Sequence, residues 1–201
     1  MTRLIIAALL LLPLGCATGR SPDMRATNWR SIATSSDAER LREWRSSFAA
    51  GLARARTSHA TEVAREGRLL DPDAAIPGPI PNGRYRCRVI KLGAKRGSPL
   101  NYVAYPGFTC RIRQEAVAQS FAKMSGPQRH DGVILPGDAL RQVFLGTLVL
   151  GDETRAMRYG GDPERDVAGW VERIEPKRWR IVIPAPTFES LTDVIELIPE
   201  G

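Results

Sequence analysis

From Arg84 to the C-terminus, apolar and polar residues alternate in short segments joined by brief connections rich in Gly, Pro, Asp and Ser, which constrains the fold more than any other feature. Segments 84–92, 102–113, 118–124, 132–135, 142–150, 167–174, 178–183 and 193–198 read as strands, with a bulge at Pro106-Gly107 in the second. Strands that follow one another this closely form an antiparallel meander, and a sheet of about eight hides its edges by curling into a small barrel or a sandwich. The strand list suits both.

One strand speaks for a covering layer. In 142–150, Phe144, Gly146, Leu148 and Leu150 share one face, while Val143, Leu145 and Val149 share the other, so both faces are apolar. The cover lies upstream. Ser36 and Glu39 fit a capping box, and Leu41, Trp44, Phe48, Leu52 and Ala55 recur at three- and four-residue steps, predicting a helix over 36–56 docked outside the sheet on this strand. A weaker helical stretch over 57–65 carries Val63, and Leu69-Leu70 finish it before Asp71-Pro72. The expected class is α+β, mainly β: a helical segment over 24–75, a Pro/Gly strap over 76–83, and an antiparallel β domain over 84–201 with one or two helices packed outside.

The N-terminus carries an address. Arg3, the apolar run Leu4 to Leu12 and the Leu14-Gly15-Cys16 junction read as a signal peptide over 1–16 with Cys16 as the lipidated residue; the apolar run is too short for a permanent span. The alternative is ordinary cleavage after Ala17, since Gly15 and Ala17 meet the small-x-small rule. Lipidation, with Ala17 following the cysteine, implies an outer-membrane protein facing the periplasm; ordinary cleavage implies a soluble periplasmic or secreted one. The remaining cysteines, Cys87 and Cys110, form an even pair in a compartment that permits a disulfide.

The net charge of +7 favours anionic partners, but much of the arginine excess lies beside glutamates over 40–68, as on a solvated helix face, and an exported address argues against nucleic acid. No phosphate loop, dinucleotide fingerprint, zinc helix or nucleophile elbow occurs, so no cofactor, metal or catalytic set is assigned. Of the two histidines, His59 falls on the polar side of a helix, and His130 is placed with Asp131 in a turn over 125–132. Alternation turns Tyr85, Cys87 and Val89 inward and Arg84, Arg86 and Arg88 outward, and likewise Cys110 and Ile112 inward and Arg111 and Arg113 outward. A Cys87–Cys110 bridge sets these arginine rows side by side. Either carboxylates such as Glu66, Glu115, Glu172 or Glu196 neutralise them, or Arg86, Arg88, Arg111 and Arg113 bind an anionic envelope component. A competing enzyme reading, an envelope hydrolase using carboxylates, rests on Glu164, Asp166 and Glu172 converging in one pocket.

Trp29, Asp37 to Leu41, Tyr85-Arg86-Cys87-Arg88, Gly107 to Cys110, Phe121-Ala122-Lys123, Gly126-Pro127-Gln128-Arg129, Phe144-Leu145-Gly146, Asp162 to Gly169 and Arg178-Trp179-Arg180 together resemble the uncharacterised bacterial envelope proteins grouped as domain-of-unknown-function 4893. The resemblance implies an exported single domain and brings no catalytic residue, ligand or partner. The leading expectation is a non-enzymatic binding or structural module, held at the membrane by a lipid anchor, whose partner is an anionic envelope component or another envelope protein.

Overall fold

The computed structural model describes residues 28–95 and 100–201; the expected signal segment, with Cys16 and Ala17, lies outside the described residues. Nine antiparallel strands follow three helices: α1 (Trp29–Ile32), α2 (Ser35–Arg42) and α3 (Trp44–Arg65), then β1 (Gly83–Ala94), β2 (Tyr102–Ala104), β3 (Phe108–Gln114), β4 (Gln119–Lys123), β5 (Gln128–Pro136), β6 (Arg141–Leu150), β7 (Asp166–Glu175), β8 (Arg178–Pro184) and β9 (Ser190–Pro199). Each strand from β3 to β9 pairs with the next, and β9 pairs back onto β1 from Tyr85↔Pro199 to Ala94↔Ser190. The result is a closed eight-strand barrel. The predicted strand 102–113 is divided at Pro106-Gly107: β3 pairs with the first half of β1 and the short β2 with its second half, so β2 is an added strand beside the barrel.

Alternation along the strands separates two cores. Tyr85, Val89, Ile112, Phe121, Ile134, Phe144, Val171, Trp179, Ile181, Ile195 and Leu197 fill the interior. Two glycines face one another across β5 and β6, Gly132↔Gly146, and a Cβ on either would stand 2.3 Å from a carbonyl oxygen of the opposite strand. Only glycine permits that approach. The strap closes the lower end of the barrel with Ile80, held by Gln142 Oε1 accepting from its N–H at 2.8 Å and by Gln119 Nε2 donating to its carbonyl at 3.0 Å. Tyr85 fixes the adjacent turn by donating to the Pro81 carbonyl at 2.6 Å.

The second core lies outside, between the helices and the barrel. The helix cap differs from the expected Ser36/Glu39 box: Thr34 Oγ1 accepts from the Asp37 N–H at 3.2 Å and donates to Asp37 Oδ2 at 3.0 Å, two residues earlier. The helix also breaks at Glu43 and resumes through Arg65, joining the two predicted stretches across a kink at His59. The docking site is a correction. Strand β6 contributes Val143 and Leu145 at the flank, but α3 lies over β1, β8 and β9, where Ser47 Oγ donates to the Leu191 carbonyl at 2.6 Å and Arg54 donates to the Ala94 carbonyl at 2.7 Å. The shorter α2 lies on β7, where Trp170 Nε1 donates to the Leu41 carbonyl at 2.9 Å. The strap delivers the helices directly into β1, so the barrel seam between β1 and β9 is the face they reach.

Candidate functional site

The interior row of β1 runs Tyr85, Cys87, Val89 and ends at Lys91; that of β4 runs Phe121, Lys123; that of β9 enters at Asp193 before Ile195 and Leu197. These charged ends meet at the upper mouth, opposite the strap. There Val89, Lys91, Tyr105, Phe108, Lys123, Gln128, His130 and Glu189 line a cavity of about 270 Å³.

Three of its polar groups sit in different electrostatic surroundings. Lys91 Nζ is 2.9 Å from Asp193 Oδ2 and 3.2 Å from Glu189 Oε2; burial opposes its charge, but these carboxylates outweigh it and raise its pKa. Ser190 Oγ completes the set by donating to Asp193 Oδ1. Lys123, only 4% exposed, has no carboxylate partner among the described residues. Its Nζ donates to the Ser125 and Gln128 carbonyls at 2.7 and 2.8 Å and lies 3.7 Å from the centre of the Phe108 ring, so its third N–H has no hydrogen-bond acceptor among the described residues. Burial, with Arg129 and Lys91 adding, lowers its pKa to about 8. His130 is buried with no partner for Nδ1, and burial together with the charges of Lys91 and Lys123 lowers its pKa to about 3. The imidazole is neutral at physiological pH.

The turn after β4 sets this geometry. Gly126 has φ +91°, and a Cβ there would stand 2.8 Å from both Lys123 Nζ and the Phe108 ring. The turn is therefore shorter than expected, and Gln128 to Asp131 join β5, which turns His130 inward and Asp131 outward. The expected turn placement of His130 is corrected. Glu189 reaches over the mouth from the β8–β9 loop with φ +68°, a conformation that non-glycine residues seldom adopt, and accepts from Gln128 Nε2 at 3.4 Å. The lining includes one exposed aromatic ring, Tyr105, and an adjoining cavity that shares Lys91, Tyr105 and Glu189 is also lined by the exposed Leu100.

The predicted site residues fall elsewhere. Cys87 and Cys110 are bridged inside the barrel, with Cα atoms 5.9 Å apart. Arg84 lies directly opposite Arg111, as the side-by-side rows require, but Arg86 faces Thr109 and Arg113 faces Ser120. Arg88 leaves the row as an anion-binding candidate, since Glu66 and Glu196 both grip it. No ion pair reaches Arg86, Arg111 or Arg113 among the described residues. The carboxylates do not converge. Glu164 is exposed in a turn, Asp166 accepts from the Gly160 N–H at 2.9 Å at the upper end of β7, and Glu172, six residues further along that strand, is enclosed by Arg141 and Arg180 at 2.6 Å each. Six strand residues span about 20 Å. The polar loop 159–166 instead anchors the helices: Tyr159 donates to Asp37 Oδ2 at 2.6 Å and Arg40 donates to the Asp166 carbonyl at 3.3 Å. His59 bonds Ser58 at the α3 kink and lies against Tyr102.

Among the described residues no cluster of His, Cys, Asp and Glu has the makings of a metal site, and no helix is long and apolar enough to cross a membrane. No curated protein and no solved structure matches the chain. A family model, Domain of unknown function (DUF4893), matches residues 29–197, and the chain belongs to that family.

Proposed function

We propose that this is an exported envelope protein, tethered through Cys16, whose barrel is a binding module with its ligand site at the mouth. The observation that carries the reading is that one cavity is lined both by Lys123, buried and without a carboxylate partner among the described residues, and by His130, buried with its Nδ1 unpartnered. Buried polar groups are normally satisfied, and a cavity with a few convergent ones is the usual form of a small-molecule site. The Cys87–Cys110 bridge supports an oxidising compartment. The scatter of Glu164, Asp166 and Glu172 leaves the hydrolase reading without an acid/base pair.

A second contact is favoured by Arg86, Arg111 and Arg113, outward-facing and without ion pairs among the described residues. With the chain tethered, this strip would meet an anionic envelope component or an acidic face of another envelope protein. Native mass spectrometry of protein purified from the envelope fraction tests the main reading. The expected result is a lipid increment on Cys16 and a small-molecule adduct that is lost in Val89→Phe, which fills the cavity. A full-length unlipidated chain carrying no adduct would overturn it.

A further inference from the structure

We infer that the mouth takes a small amphiphilic monocarboxylate, and that Glu189 holds the position of its head group when the site is empty. The inference rests on the mouth being the binding site and adds the ligand's chemical class. The Glu189 carboxylate enters from outside the barrel, on a loop that adopts φ +68° to bring it there, and ends 3.2 Å from Lys91 Nζ. Lys91 does not depend on it, because Asp193 already supplies a buried carboxylate at 2.9 Å. Glu189 is instead half-exposed, at 52% of its side chain, and its other bond is a 3.4 Å contact from Gln128. It is the weakly held member of the cluster.

A carboxylate taking its place would gain more than Glu189 has. It would accept from Lys91 and from the third N–H of Lys123, both of which line the same cavity. A doubly charged phosphate suits the site less well, since Asp193 stays beside Lys91 and repels a second negative charge. Beside the head group the walls are apolar or aromatic at Val89 and Phe108, and the exposed ring of Tyr105 offers an apolar approach. The volume, about 270 Å³, lies below the ~300–1,000 Å³ of drug-sized sites. A short chain or a single ring fits it.

Calorimetric titration with octanoate and its neutral isostere octanamide tests this. Wild-type protein is expected to prefer octanoate by about tenfold, as one charge-assisted hydrogen bond contributes. Glu189→Gln, on an exposed side chain that leaves the fold intact, should bind octanoate several-fold more tightly and octanamide no differently. Lys123→Met, with its folding checked by circular dichroism, should lose the preference. Equal affinity for the two probes, or a Glu189→Gln variant with unchanged octanoate binding, would overturn the carboxylate assignment while leaving the mouth as a binding site. Binding of neither probe to wild type or to Glu189→Gln would overturn the mouth reading itself.

Discussion

Arg180 is the largest fully buried side chain, and its guanidinium explains how two layers become one molecule. It pairs with Glu172 through Nε at 2.7 Å and Nη2 at 2.6 Å, while Nη1 donates to the carbonyls of Leu69 and Asp71 at 2.7 and 2.8 Å, where the helical segment ends in a 3-10 turn. A strand residue thus satisfies the orphan carbonyls of a helix terminus. Arg180→Met should cost about 3–5 kcal/mol in urea denaturation, because buried Glu172 keeps Arg141 alone as its charged partner and the Leu69 and Asp71 carbonyls lose their donor; a loss below ~1 kcal/mol would show that the pair is dispensable. The His130 ring carries the opposite lesson. Its ordinary value is 6.5 and its folded value about 3, so between those limits the unfolded chain binds more protons and stability falls as pH drops. His130→Gln should flatten that limb between pH 6 and 4, whereas parallel loss in both proteins would mean that the ring is not held neutral. At Lys123 the charged form is needed for a carboxylate ligand. With Lys91, Arg129, His130 and Glu189 as its charged or titratable neighbours, octanoate affinity should fall as pH rises through about 8.

The elements differ in how plainly they are written. Strands β1, β6, β7 and β8 lie within two residues at each end of their expected bounds, because each alternates over a long apolar run. Strand β5 was legible only over its apolar half: Gln128-Arg129-His130-Asp131 has no apolar periodicity, and its inward histidine faces a polar mouth rather than the core. The mouth lysines were nearer to view. Continuing the inward row Tyr85, Cys87, Val89 by one step gives Lys91, and one step beyond Phe121 gives Lys123, but a charged residue at a strand end reads as solvated unless the closure of the barrel is known. The strap and the disulfide act on the same interior. Reduction of Cys87–Cys110 should cost roughly 3 kcal/mol for a loop of 23 residues, observed as a lower urea midpoint without loss of the β-rich circular dichroism spectrum; a reduced protein as stable as the oxidised one would remove the bridge from the list of supports. Ile80→Ala should cost about 2–4 kcal/mol through the cavity left at the barrel floor, while octanoate binding at the other end stays unchanged.

For the whole molecule, one end of the barrel is closed by apolar packing and the other opens onto buried charge, while the helices cover the seam where β1 meets β9. The floor and the helical cover hold the barrel, and the mouth presents Lys91, Lys123, His130 and Glu189. Ligand binding at this mouth is tested by amide chemical-shift mapping of the nitrogen-15-labelled protein during octanoate titration. The expected result is a saturable set of shifts centred on Val89, Lys91, Phe108, Lys123, His130 and Glu189. Shifts centred instead on the outer groove of Glu39, Ser47 and Pro184, or no saturable shift at the mouth, would contradict it.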